Sequence, residues 1–141
     1  MIIPFEYTAW FESLGFDEIA FGYAGLKLLS PDELEEGQAG YSLSEEGESL
    51  CDGKPGSWKA EWIAIGYDTS LGDPIILDTS NGQIMDAMHG EGSWEPYAIA
   101  KSLQAFAVAL RRLREPPRAV NTRLRWRIIL CLTKNVTASW T

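Results

Sequence analysis

The sequence predicts a mixed helix-and-sheet domain, a β-meander closed by a long amphipathic helix. Three observations carry this expectation. Between Trp58 and Leu110 stand three short apolar runs, Trp62 to Gly66, Pro74 to Asp78 and Gln83 to Met88, each bounded by turn residues as strands are. Thr79-Ser80-Asn81-Gly82 separates the last two, and Asn-Gly tolerates the positive φ angles of a tight hairpin. Ile99, Leu103, Phe106, Leu110 and Leu113 then recur at spacings of four, three, four and three, which is one helix face. At 141 residues and 45% hydrophobic side chains the chain suffices for one well-buried core, so a single domain over 1–141 is expected, with a basic segment at 116–141.

The remaining elements follow in order. Ile3, Tyr7, Trp10, Phe11 and Leu14 lie on one face of a helix starting near Pro4, and Gly15 ends it. Glu18 to Phe21 and Leu26 to Leu29 are short strand candidates divided by Gly22 and Gly25, with Lys27 pointing outward. Ser30-Pro31-Asp32-Glu33 has the form of a capping box with proline in the first turn, so a helix is expected from Pro31 to about Gly37 or Gly40. From Ser42 to Ser57 no hydrophobic period survives, and an acidic, mobile loop is expected. The strand at Trp62 is expected to be covered on both faces, and Pro74 to stand at the start of its strand. The closing helix is expected to run from Pro96 to the Pro116-Pro117 pair, with Arg111, Arg112 and Arg114 in its last turn. Arg123 to Leu132 fits either a strand or a helix, and a terminal helix is favoured.

Charge is unevenly distributed. Residues 1–100 hold 19 acidic and 3 basic side chains, a net −16, whereas residues 101–141 hold 1 acidic and 9 basic, a net +8. An acidic body repels nucleic acid and attracts a basic partner. No apolar run approaches the roughly 20 residues of a membrane span, and the N-terminal stretch carries Glu6 and Glu12 where a leader would be basic and then apolar. A soluble cytoplasmic protein is expected, with no membrane or nucleic-acid partner. Cys51 and Cys131 allow one bridge only, and Cys131 sits in an apolar run that suits a reduced thiol. Asn135-Val136-Thr137 fits a glycosylation triplet but lacks a secretory context.

Catalytic motifs are missing. His89 is the one histidine, and no nucleophile elbow, HExxH, Cys-x-x-Cys or phosphate-cradling loop accompanies it. His89 with Asp86 and Glu91 could suggest a metal site, but one histidine and two carboxylates on a turn more often form a solvated loop. Asp73 and Asp78 project to opposite faces of a strand, and Asp68 and Asp78, which could approach across the hairpin, are equally explained as turn formers. No cofactor, metal or catalytic residue is therefore expected. Trp10 and Trp62 read as core, while Trp94 could cap the core or line a groove near His89.

With the elements in place, the chain resembles the SUKH superfamily, the immunity-protein relatives of the fungal Smi/Knr cell-wall-synthesis regulators. The resemblance lies in Ile3-Pro4-x-x-Tyr7-x-x-Trp10-Phe11 with Gly15, and more specifically in Trp62-Ile63-Ala64-Ile65-Gly66, Gly72-Asp73-Pro74-Ile75-Ile76-Leu77-Asp78, His89-Gly90 and Ile99-Ala100-Lys101-Ser102-Leu103-x-x-Phe106. It departs from the family at Leu14-Gly15-Phe16, at Leu103 and in the basic tail with Trp140. The resemblance implies an α+β fold, a twisted, largely antiparallel sheet with helices packed beside it. It also implies a non-catalytic, cytoplasmic protein that neutralises a cognate toxin, often a nuclease, by direct binding. Partner contact is then expected at the acidic loop residues Glu45, Glu46, Glu48 and Asp52 and at Glu35 and Glu36, since complementary charge speeds association. The alternative is a regulatory or ligand-binding scaffold using a groove near Trp94 and His89.

Overall fold

A computed structural model describes residues 3–21, 24–88 and 92–114. The architecture is α+β. Helix α1 spans Phe5–Leu14, followed by strands β1 (Glu18–Phe21) and β2 (Ala24–Leu28). A single-turn 3₁₀ helix, Glu36–Gln38, begins a long connection to β3 (Trp62–Asp68), β4 (Pro74–Asp78), β5 (Ile84–Asp86) and β6 (Tyr97–Ala100), and α2 (Leu103–Leu113) closes the described chain. The six strands form one sheet in sequence order, every neighbouring pair antiparallel. The expected meander is thus the centre of a larger one.

Alternation along the strands divides the core in two. Ile63, Ile65, Ile75, Leu77 and Ile84 meet Tyr7 and Leu14 of α1 and Phe106, Leu110 and Leu113 of α2. Trp62, Ala64, Ile76 and Met85 face the other way and join Trp58, Tyr41 and Trp94. Burial of both faces was legible in the apolar run at Trp62; what covers the second face is the loop, folded back across it. The helices are joined by Trp10, whose indole N–H donates to the Leu103 carbonyl at 2.7 Å and whose ring stacks on Phe106 at 6.0 Å. Trp10 and Trp62 are core residues, as expected.

Chain reversals follow the expected chemistry with one difference. Gly15 ends α1 at φ 80°, a left-handed cap that only glycine adopts cheaply. In the β4–β5 turn the positive φ falls on Gly82 alone, at 78°, so Asn81 is not left-handed as a tight Asn-Gly hairpin would make it. Four residues form the loop instead, with Asp78 and Gln83 bonded across its base at 2.9 Å. Asp78 accepts from the Ser80 N–H at 2.9 Å and from its hydroxyl, which fixes the wider turn.

Three expectations are corrected. No α-helix grows from Pro31. The capping box is there, with the Ser30 N–H donating to Glu33 Oε1 at 3.0 Å, but the chain makes turns and one 3₁₀ turn, because Gln38 swings inward to bond β3. The closing helix starts at Leu103 and not at Pro96, since Tyr97–Ala100 pair with β5 and Ser102 supplies the N-cap, accepting from the Ala105 N–H at 3.1 Å. The third meander strand is shorter than expected, Ile84–Asp86.

Tyr7 offers a direct test of how α1 is anchored. Its buried hydroxyl donates to the Leu29 carbonyl at 2.5 Å and lies 3.4 Å from the Ile65 carbonyl, and burial, reinforced by the Glu33 charge, pushes its pKa above the ordinary tyrosine value. Tyr7→Phe keeps the ring and leaves the Leu29 carbonyl short of a donor. A loss of about 1–2 kcal/mol is expected in denaturant unfolding.

Candidate functional site

The acidic residues singled out from the sequence all lie at the surface. Glu35 and Glu36 flank the start of the 3₁₀ turn and are exposed, and Glu45, Glu46, Glu48 and Asp52 are exposed along the loop. The loop has internal order. Leu43 and Ser49 form an antiparallel bridge, the Leu50 N–H donates to the Ser42 carbonyl at 2.8 Å, and Ser44 accepts through its hydroxyl from the Glu48 N–H at 3.1 Å. Glu45 and Glu46 therefore occupy the tip of a small hairpin. Asp52 is held below the usual carboxylate range by the Ser57 hydroxyl and then by the Lys54 N–H, which donates to it at 3.0 Å. These bonds shape the loop while its carboxylates remain in water.

Trp94 belongs to the aromatic cluster of the second sheet face. Its ring stands edge-on to Trp58, centroids 5.3 Å apart, and lies 6.0 Å from Tyr41, while its N–H donates to the Gly56 carbonyl at 2.7 Å. It closes the seam between loop and sheet, which is the capping role. His89 and Glu91 lie outside the described residues, as do the 116–141 segment, Cys131 and the helix expected at Arg123 to Leu132. Cys51 carries a free thiol.

Two grooves among the described residues lie at the end of the sheet away from Gly72. One, of about 520 Å³, runs between α1, the β4–β5 turn and the start of α2, lined by Tyr7, Trp10, Asn81 and Leu103. The other, of about 550 Å³, lies under the loop beside Leu43, Cys51 and Trp62. They adjoin at Pro4 and Thr79, and Trp94 lines neither.

Of the two readings open for the carboxylates of the meander, the turn-former one holds. Asp68 and Asp78 do not approach each other: Asp78 pairs with Trp62 at the opposite end of β3 from Asp68. Each is a turn former, Asp68 accepting from the Ser70 N–H at 2.7 Å and the Leu71 N–H at 3.1 Å. Asp86, weighed from the sequence only as one member of a metal site with His89 and Glu91, has a different standing in the fold. It sits opposite Ile75 and Tyr97 in the sheet, and burial pushes its carboxyl up to about 6. The Tyr97 hydroxyl, donating to Oδ2 at 3.1 Å, opposes that shift, and the charges of Asp73 and Asp68 add to it. A polar residue ending an apolar strand run was the available signal.

Among the described residues no group of three or more histidine, cysteine or carboxylate side chains could hold a metal ion, and no helix is long and apolar enough to cross a membrane. Comparison with protein families, with characterised proteins and with solved structures finds no match.

Proposed function

We propose that this chain is a non-catalytic, cytoplasmic protein-binding module of the immunity type, which neutralises a cognate toxin by covering its working surface. One observation carries the reading: a net −16 over residues 1–100, with Glu45 and Glu46 presented at the tip of an ordered hairpin and Glu35, Glu36, Glu48 and Asp52 exposed around it. A basic toxin such as a nuclease is steered toward such a field, while a nucleic acid is repelled from it. The α+β architecture agrees with the SUKH resemblance of the sequence.

The test is co-expression with a candidate toxin from a neighbouring gene. Survival of the cells and isolation of a stable complex are expected; death despite abundant soluble protein, with no complex recovered, sinks the reading. Within a complex, changing Glu45, Glu46 and Glu48 together to lysine should slow association by about tenfold at low salt and lessen its salt dependence. An unchanged association rate would remove the hairpin from the account.

A further inference from the structure

The two chain reversals that flank β4 are built alike. Asp68-Thr69-Ser70-Leu71-Gly72 and Asp78-Thr79-Ser80-Asn81-Gly82 differ only in the residue before glycine. In each, the aspartate Oδ1 accepts from the serine N–H, at 2.7 Å for Ser70 and 2.9 Å for Ser80, and from the serine hydroxyl. The glycine takes a left-handed φ, 76° at Gly72 and 78° at Gly82, and donates its N–H to the aspartate carbonyl, at 2.8 Å and 2.7 Å. The residue before it is exposed in both turns. Leucine fills that place in one and asparagine in the other, so the turn does not require an amide there. What Asn81 adds is its side-chain oxygen, which accepts from the Gln83 N–H at 2.9 Å.

Asn81 also brings a reactive group. It is the chain's one asparagine followed by glycine; Asn121 precedes Thr122 and Asn135 precedes Val136, whose branched side chains crowd the backbone nitrogen. Gly82 has no Cβ, and a Cβ built on it would meet no neighbouring atom within 4 Å, so water reaches this peptide group. The backbone nitrogen of Gly82 can attack Cγ of Asn81: the N–Cγ bond forms, the Cγ–Nδ2 bond breaks, and ammonia leaves with the proton that the glycine nitrogen gives up. The ring so closed is a succinimide. Water, the only co-reactant, reopens it by breaking either bond from the nitrogen to a carbonyl carbon. Breaking N–Cγ leaves aspartate; breaking the bond to the main-chain carbonyl carbon leaves isoaspartate, with the chain rerouted through the side chain.

The folded turn restrains the first step. The Gly82 N–H is committed to the Asp78 carbonyl and the Asn81 oxygen to the Gln83 N–H, so the attacking nitrogen is freed only when these bonds open. That opening is local, since Thr79, Ser80 and Asn81 are all exposed and β5 beyond them is three residues long. The two products differ in consequence. Aspartate adds a negative charge to the groove that Asn81 lines with Glu6, Tyr7 and Trp10. Isoaspartate lengthens the main chain inside a turn that the Asp78 N–H and the Gln83 carbonyl close at its base, 2.9 Å apart.

We propose that Asn81 is a site of spontaneous deamidation, restrained by the hydrogen bonds of the β4–β5 turn, and that isoaspartate formed there loosens the fold. The reaction needs no partner and stands apart from the toxin-binding reading.

The experiment incubates the full chain in mildly alkaline buffer, folded and in guanidinium, and follows each asparagine by peptide mass mapping. Conversion of Asn81 to aspartate and isoaspartate is expected in the folded chain, about thirtyfold slower than in guanidinium, the weight of two hydrogen bonds of ordinary strength. Asn81→Leu should fold as wild type does, because Leu71 holds the matching place, and should keep its melting temperature on storage while that of wild type falls. Asn81→Ser is the second variant should leucine disturb the fold. A folded chain still unconverted at Asn81 after about a hundred half-times of the unfolded sample, or converted first at Asn121 or Asn135, overturns the site. Equal rates in the folded and unfolded chain overturn the restraint. Variants that lose melting temperature as fast as wild type overturn isoaspartate at this turn as the cause of the loosening.

Discussion

Asp86→Asn is expected to stabilise the protein at pH 7 by about 2–3 kcal/mol, from roughly 1.4 kcal/mol for each unit of pKa displacement. The carboxyl titrates at about 6 in the fold, against 3.8 ordinarily, mainly because β5 carries it into the sheet away from water. The unfolded chain therefore releases this proton near pH 4 and the folded chain keeps it until about pH 6. Across that window the native state binds more protons, so this group makes stability fall as pH rises from 4 to 6 and leaves the full penalty in place above. Asparagine is neutral at every pH and its amide oxygen can still accept from the Tyr97 hydroxyl, so the hydrogen bond survives. Denaturant unfolding at pH 4 and pH 7 checks the sign. The variant should gain little over wild type at pH 4 and most at pH 7, and a gain equal at both values would show that charge burial is not the cause.

The outline of the fold could be read in the chain because its strands follow simple chemistry. Trp62 to Asp68 and Pro74 to Asp78 are apolar runs between turn formers, and Gly15 ends α1 where the helical period stops. The strand Tyr97–Ala100 was hidden by coincidence of period. Ile99 lies four residues before Leu103, so it extends the helix pattern backward, although Ser102 already marked the helix start. The cover of the second sheet face was hidden for another reason: Tyr41, Trp58 and Trp94 are distant in sequence and share no period, so only the folded chain brings them together. The candidate site was legible in charge and not in place. Glu45, Glu46 and Glu48 were evident as a run, whereas the hairpin that presents them depends on the bridge between Leu43 and Ser49, which no period in the sequence marks.

Gln38→Leu is expected to cost about 3–5 kcal/mol, since a buried backbone polar group left without its partner loses roughly 1–3 kcal/mol and three are affected. Pairing between β2 and β3 ends at Leu28↔Gly66, so the N–H and carbonyl of Ala64, two residues further, have no strand beside them. Gln38 fills that place. Its Oε1 accepts from the Ala64 N–H at 3.0 Å, and its Nε2 donates to the Ala64 carbonyl at 2.8 Å and to the Leu34 carbonyl at 2.8 Å, at a site only 3% exposed. Leucine has similar volume, so the loss reports the hydrogen bonds and not a cavity. Gln38→Glu separates the two halves of the role. Its carboxylate could still accept from the Ala64 N–H but would face two carbonyl oxygens with a buried negative charge, so at pH 7 it should unfold more readily than the leucine variant. Protonation restores one donor, and this variant should recover stability relative to wild type and to the leucine variant as pH falls, because the folded pKa of Glu at this site lies above its unfolded value. A leucine variant within about 0.5 kcal/mol of wild type, or a glutamate variant without that acid recovery, would mean that Gln38 does not complete the edge of β3.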